Sequence, residues 1–236
     1  MKKSQDRPFL VPKIWEGGTA YIIGGGPSVR INANIKGRRI DENNERYNER
    51  VYLELGEYYK ERLFDKKVIG VNNAFKFGSW VDVCWFGDLK WWNWHQEELF
   101  NFPGLVMTCN ENAELKGEPW LKKLRRARIP KSQGIVTTPA QVCWNACSGN
   151  SAINLAVLFG VKKIVLLGFD MKFIGEKEDK NWHDAHKESK HDPFRRFINV
   201  HKLIAEDAQK LGVEIINTSL ESALNVYPKK RLEEVI

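Results

Sequence analysis

Residues able to do chemistry are concentrated in a few short stretches of this 236-residue chain. The run Asn181-Trp-His183-Asp-Ala-His186 holds two histidines three positions apart. An imidazole titrates near neutrality, so either ring, held over a cleft, suits the role of base toward an acceptor hydroxyl. The same spacing would let both reach a metal shared with Asp170, and surface histidines on a mobile loop would look no different. A second stretch is Gly24, Gly25, Gly26, Pro27 and Ser28. Glycines at a strand end let backbone N–H groups close on a phosphate without Cβ interference, and Ser28 can cap or donate. This is not the dinucleotide fingerprint, because the spacing of its third glycine is absent and Pro27 fixes the turn. An ordinary glycine turn is the other reading.

Three further stretches offer polar groups. Asn72 and Asn73 present carboxamides that read donor and acceptor edges of a base or ribose, or simply form a turn. Asp88 follows an apolar run through Gly87, which predicts a carboxylate projecting into the same crevice. Ser148, Gly149 and Asn150 open a helix, whose free N–H groups bind an anion or are merely capped. Ser148 lacks the spacing of a nucleophile elbow. Five tryptophans fall between Trp80 and Trp94. Trp91, Trp92 and Trp94 start a helix and diverge by about 100° per position, so at least one is expected to be partly exposed.

The elements that must position these groups are legible as short apolar runs. Thr19–Gly24, Lys67–Val71, Val81–Phe86, Leu105–Thr108, Lys163–Gly168 and Val213–Asn217 read as strands. Their hydrophobicity is continuous rather than alternating, as parallel strands covered on both faces require. Leu89–Phe100, Asn150–Phe159 and Pro193–Leu211 read as helices between them. Residues 32–64 are heavily charged, with Tyr47, Val51, Leu55, Tyr58, Tyr59 and Leu63 at helical spacing. Alternating strand and helix predicts a single-domain, doubly wound, mostly parallel α/β sheet of Rossmann-like type. The expected organisation is a leader at 1–18, a nucleotide-binding domain at 19–225 and a tail at 226–236. The domain carries a charged helical insertion at 32–64 and a lid segment at 173–192.

Composition narrows the class. Apolar residues at 42% and charged residues at 28% exclude global disorder. No run is long enough to span a bilayer, and the N-terminal residues lack a signal-type apolar core, so a cytoplasmic protein is expected. Cys84, Cys109, Cys143 and Cys147 match no zinc or disulfide pattern and read as reduced core thiols. The formal charge of +7 favours an anionic partner without choosing one. The basic run from Lys122 to Arg128 is a candidate DNA-contacting face or plain solvated helix surface.

In this order, the loops resemble those of the small bacterial sialyltransferases and of the wider set of phage, flagellin-modifying and hydroxymethylpterin diphosphokinase-like proteins sharing their domain. The resemblance runs from Thr19 to about Asn225 and rests on Gly24–Ser28, Asn72, the Phe86-Gly-Asp88 loop, Ser148-Gly149, Gly168-Phe-Asp170 and the lid histidine. Phage and prophage proteins with a Gly-Asp loop, a Trp-Trp helix and a Trp-His lid are the nearest look-alikes, which implies a host-cytoplasmic setting. It implies that Gly24–Ser28, Asn72, Ser148 and Gly149 bind nucleotide, and that His186, or its neighbour His183, is the base. The chain departs from the sialyltransferase motif at Gly25 and Asp88. Met171, Lys172 and Phe173 stand where those enzymes carry tyrosines that support the leaving phosphate, which bears against a cytidine sialyl donor.

Three functions are consistent with these residues. One is a transferase moving a sugar from a nucleotide-sugar donor to a hydroxyl acceptor, a glycan or a modified nucleobase. Another is a phosphoryl or pyrophosphoryl transferase with Asp88 and Asp170 on Mg²⁺. The third is a non-catalytic module that binds nucleotide, glycan or a partner protein through the tryptophan-rich helix. The charged insertion could serve a subunit contact in an oligomer.

Overall fold

The computed structural model describes residues 8–35, 45–112, 118–128, 131–173, 181–183 and 192–236, with the side chains of 45–48 left aside. His186 and the side chain of Tyr47, both singled out above, therefore lie outside what is described, as does most of the expected lid.

Seven strands form one parallel sheet: β1 (Thr19–Ile23), β2 (Lys67–Val71), β3 (Val83–Phe86), β4 (Leu105–Thr108), β5 (Leu121–Lys123), β8 (Lys163–Leu167) and β9 (Glu214–Asn217). Their spatial order is β5-β4-β3-β2-β1-β8-β9. The chain builds outward from β1 to β5, then returns to the other side of β1. Strand order therefore reverses between β1 and β8, where open α/β sheets leave a crevice at the carboxyl ends. Two short strands, β6 (Arg125–Arg126) and β7 (Gln141–Val142), pair apart from the main sheet.

Alternate residues of each strand feed opposite faces. Ala20 and Ile22 of β1 pack with α4 (Ser148–Leu158) and α5 (Phe194–Lys210), through Ile153, Ala156, Val200 and Ile204. Tyr21 and Ile23 face α2 (Glu45–Leu63), whose Val51, Leu55, Tyr59 and Leu63 form its buried stripe. Farther along that face, Cys84 and Phe86 meet Trp91, Trp92 and Leu99 of α3 (Leu89–Phe100). Helices on both faces make the sheet doubly wound, as the alternation of elements predicted. A five-residue helix α1 (Ser28–Asn32) leaves β1, and a 3-10 turn, Asn72–Phe77, leaves β2.

Described residues before β1 and after β9 join this core. Val11 and Trp15 are buried, and Trp15 packs on Phe159 with centroids 4.3 Å apart. Residues set aside as a tail contribute Tyr227, Leu232 and Val235, and the Tyr21 hydroxyl donates to the Val235 carbonyl at 2.9 Å.

One expectation is corrected. The basic run Lys122–Arg128 is not a helix face but the strands β5 and β6. Arg126 donates to the carbonyls of Cys109 and Gly87, and Arg128 pairs with Glu111, which ties part of this charge to the fold rather than to DNA. The charged stretch 32–64 yields one long helix, α2, among its described residues. Trp94 is 46% exposed while Trp80, Trp85, Trp91 and Trp92 are buried, as the angular argument required. The four cysteines are free thiols. Among the described residues no helix is long and apolar enough to cross a membrane.

Leu55 is fully buried beneath the sheet. Leu55→Ala is expected to cost about 2–5 kcal/mol in urea unfolding, with a signal that reports α2 as part of the single cooperative unit.

Candidate functional site

The reversal point is built from two strand ends pressed together. The N–H of Gly24 donates to Leu167 O at 2.8 Å and that of Gly26 to Gly168 O at 2.9 Å. A Cβ on Gly26 would fall 2.0 Å from Asp170 Oδ2 and 2.6 Å from Gly168 O, so only glycine permits the approach. Pro27 precedes α1 and has no side chain able to cap it. Asp170 does so from across the junction, with Oδ2 accepting from Ser28 N–H at 3.0 Å. The hydroxyls of Ser28 and Ser219 meet at 2.6 Å beside it. Burial raises the Asp170 carboxyl above its usual range, partly offset by hydrogen bonds from Ser28 and Ser219.

The glycine turn is thus less open than its sequence suggested. The amides of Gly24, Gly26 and Ser28 serve Leu167, Gly168 and Asp170. Its carbonyls receive a different partner: Trp182 donates its backbone N–H to Gly25 O and its indole N–H to Gly24 O, each at 2.9 Å. This brings Asn181 and His183 over the turn. A Cβ on Gly25 would stand 3.0 Å from Asn181 Oδ1 and 3.7 Å from His183 Nε2.

The start of α4 lies against the same junction through one ring. Phe169 would contact a Cβ on Gly24 at 3.0 Å and a Cβ on Gly149 at 3.4 Å. The Trp85 indole of β3 fixes that helix start by donating to Ser148 O and Ser151 Oγ, at 3.1 and 2.8 Å. Cys147 is the cap, its sulfur accepting from the Asn150 N–H. The preceding loop carries two left-handed non-glycine residues in a row, Asn145 (φ 55°) and Ala146 (φ 71°). Asn145 offsets that strain by pairing its carboxamide with both the N–H and C=O of Gly134, each at 2.8 Å.

Asn72 and Asn73 part company. Asn73 turns inward, donating to Tyr52 Oη at 2.9 Å and accepting from Trp91 Nε1 at 2.6 Å. Its role is to join α2, the 3-10 turn and α3. Asn72 sits at φ 50° on the carboxyl end of β2, and its buried Oδ1 has no partner among the described residues. Asn150 is fully buried; its Nδ2 donates to the carbonyls of Asn145 and Phe197, which fixes the amide orientation and leaves Oδ1 unpartnered. Asp170 Oδ1 is in the same condition, and so is Nε2 of His201, which lies edge-on to Phe169. Burial lowers His201 to about 3, so this ring is neutral. Native folds leave few buried polar atoms unsatisfied. Here these four atoms lie on residues grouped about Phe169 and the end of β2.

Asp88 is exposed and has a structural task. Its Oδ1 accepts from the N–H of Lys90 and Trp91, capping α3. It stands after β3 while Asp170 stands after β8, three strand intervals away, or about 14 Å at the strand ends. Each carboxylate serves a different helix start, and among the described residues no three His, Cys, Asp or Glu side chains are grouped to hold a metal. This pair does not fit one shared Mg²⁺.

Several functional-looking features were not foreseen: the strained Asn145-Ala146 loop, the Trp182 contacts, and the buried pair of His201 Nδ1 and Tyr227 Oη at 2.9 Å. Only Trp182 had a sequence signal, as the one Phe, Tyr or Trp between residues 174 and 191.

No protein-family model matches the chain, and no curated protein does. In fold it is similar to the MAf glycosyltransferase from Magnetospirillum magneticum AMB-1, with a TM-score of 0.60 and 11% identity. The likeness covers 100% of this chain and 37% of that one, so the chain spans well under half the length of that enzyme. At this identity the likeness is one of fold: a parallel, doubly wound α/β sheet.

Gly26→Ala is expected to lower stability by about 2 kcal/mol or more, because the new methyl displaces Asp170. Gly149→Ala, with an ordinary contact to Phe169, is expected to stay within about 1 kcal/mol of wild type; urea unfolding of both compares the two positions. Asp170 gives a pH signature. Its folded pKa is raised, so its contribution is fully present below the unfolded value and is lost as pH rises through the folded one. Asp170→Asn keeps an acceptor for Ser28 and is expected to match or exceed wild type in Tm at about pH 7, the wild type regaining ground toward about pH 4.

Proposed function

We propose that the protein is a nucleotide-sugar-dependent, glycosyltransferase-like enzyme that moves a sugar to a hydroxyl acceptor at the β1/β8 junction. The observation that carries this reading is the set of buried oxygens at Asn72, Asn150 and Asp170 that have no partner among the described residues. Carboxamide and carboxylate oxygens accept hydrogen bonds, so they suit a ligand that donates them. A bare phosphate dianion offers no donor. Sugar hydroxyls and base amines offer several. The fold likeness to a glycosyltransferase supports the same reading.

In this reading His183, 4% exposed and beside the glycine turn, is the base. It takes the proton of the acceptor hydroxyl as that oxygen attacks the anomeric carbon. The bond from that carbon to the donor phosphate oxygen breaks, and its electron pair leaves with the nucleotide. The N-terminal turn of α4 faces the junction with its positive dipole end and stabilises the charge on the departing phosphate. Asn72 holds the base or sugar of the donor. Gly24–Ser28 shape the floor of the site, Ser148 and Gly149 its anion-facing wall.

Nucleotide release from a panel of nucleotide sugars tests the proposal. At least one donor is expected to turn over, and His183→Ala to lower kcat about 100-fold with donor KM within about threefold. Asn72→Ala is expected to raise donor KM about tenfold, the loss of roughly one buried hydrogen bond. Turnover unaffected by both substitutions would remove the assignment. Turnover unchanged by a chelator is expected, and it would set aside the Mg²⁺-dependent phosphoryl transfer.

A further inference from the structure

We propose that Trp182 is the positioning residue that holds His183 at the glycine turn, from a seat built by the charged helix α2; the proposal rests on the transferase reading for the role of His183. Two directional bonds and two aromatic contacts define the seat. Both N–H groups of Trp182 are bonded to carbonyls of the glycine turn, the backbone one to Gly25 and the indole one to Gly24. A peptide group and a side chain held at separate points cannot rotate about either bond alone, so the following residue is fixed in direction. That residue is His183, whose ring stands edge-on to the indole, with centroids 4.8 Å apart and planes at 84°.

The hydrophobic side of the indole is enclosed by residues of two other elements. Tyr52 of α2 meets it edge-on at 5.5 Å and 81°, and Phe77 of the 3-10 turn lies at 4.8 Å. Trp182 is only 1% exposed as a result. Tyr52 is itself held, because Asn73 donates to its hydroxyl while accepting from Trp91 of α3. The seat thus runs from α3 through Asn73 and Tyr52 to Trp182 and the two glycine carbonyls. Apolar burial would be satisfied by phenylalanine or leucine. The indole N–H bond to a strand-end carbonyl is what packing alone does not require.

This gives the insertion at 32–64 a task within its own chain. Val51, Leu55, Tyr59 and Leu63 attach α2 to the sheet, and Tyr52, one position along from that stripe, forms a wall for Trp182.

Trp182→Phe retains an aromatic ring but removes the indole donor, and amide hydrogen exchange with donor turnover tests it. Exchange at Trp182 and His183 is expected to accelerate about tenfold or more, while amides of β1 and β8 stay protected. In turnover, kcat is expected to fall about tenfold with donor KM unchanged, and Trp182→Phe combined with His183→Ala to be no slower than His183→Ala alone. Tyr52→Leu, which leaves both donors in place and removes the edge contact, is expected to give the same pattern more weakly. Unchanged exchange in Trp182→Phe overturns the proposal whatever the activity does, as does a double variant markedly slower than His183→Ala. Accelerated exchange with His183→Ala fully active leaves the anchor standing and removes His183 as the base.

Discussion

The close approach of β1 and β8 at their carboxyl ends is the constraint on which the site depends. Neighbouring parallel strands already lie as near as their hydrogen bonds allow. At this junction the chain adds a carboxylate, three glycines and the start of a helix within the same space. Gly26 yields the volume that Asp170 fills, and Asp170 in turn supplies the cap that Pro27 cannot. The turn and the loop after β8 are therefore one structural unit, although Gly24 and Asp170 are far apart in sequence. Phe169 extends that unit to α4 by touching the helix at Gly149.

Burying a carboxyl and two carboxamide oxygens here opposes folding, since a polar group removed from water without a partner costs on the order of 1–3 kcal/mol. Elsewhere both faces of the sheet are covered by apolar clusters. Left-handed backbone at Asn72, Asn145, Ala146 and Met171 adds local strain in loops at the ends of elements.

Much of the fold was legible because buried parallel strands must be continuously apolar. β2 and β4 coincide with their expected ranges, and α3 does so at both ends. β5, β6 and β7 were missed because two or three residues carry no periodicity, and the basic side chains of the first two suggest a helix surface instead. Site residues were harder for a different reason. Asp88 after a glycine looks the same whether it faces a ligand or caps the next helix, and only the N–H groups of Lys90 and Trp91 decide. Asn72 and Asn73 are identical in type and adjacent, yet the backbone sends one into a network with Tyr52 and Trp91 and leaves the other without a partner. The glycine turn was recognised by its place in the chain, while the partners of its amides depend on Gly168 and Asp170, which no local pattern reveals.

Trp85 sets how well this arrangement can be kept. Apolar contact between α4 and the sheet resists separation, but oil-like surfaces slide over each other with little penalty. The indole of Trp85 grips a carbonyl and a hydroxyl in the first turn of the helix, and so acts as a dowel through two plates. Sliding of the helix along the sheet would break both bonds at once, so they fix the register of the first turn of α4 against β3.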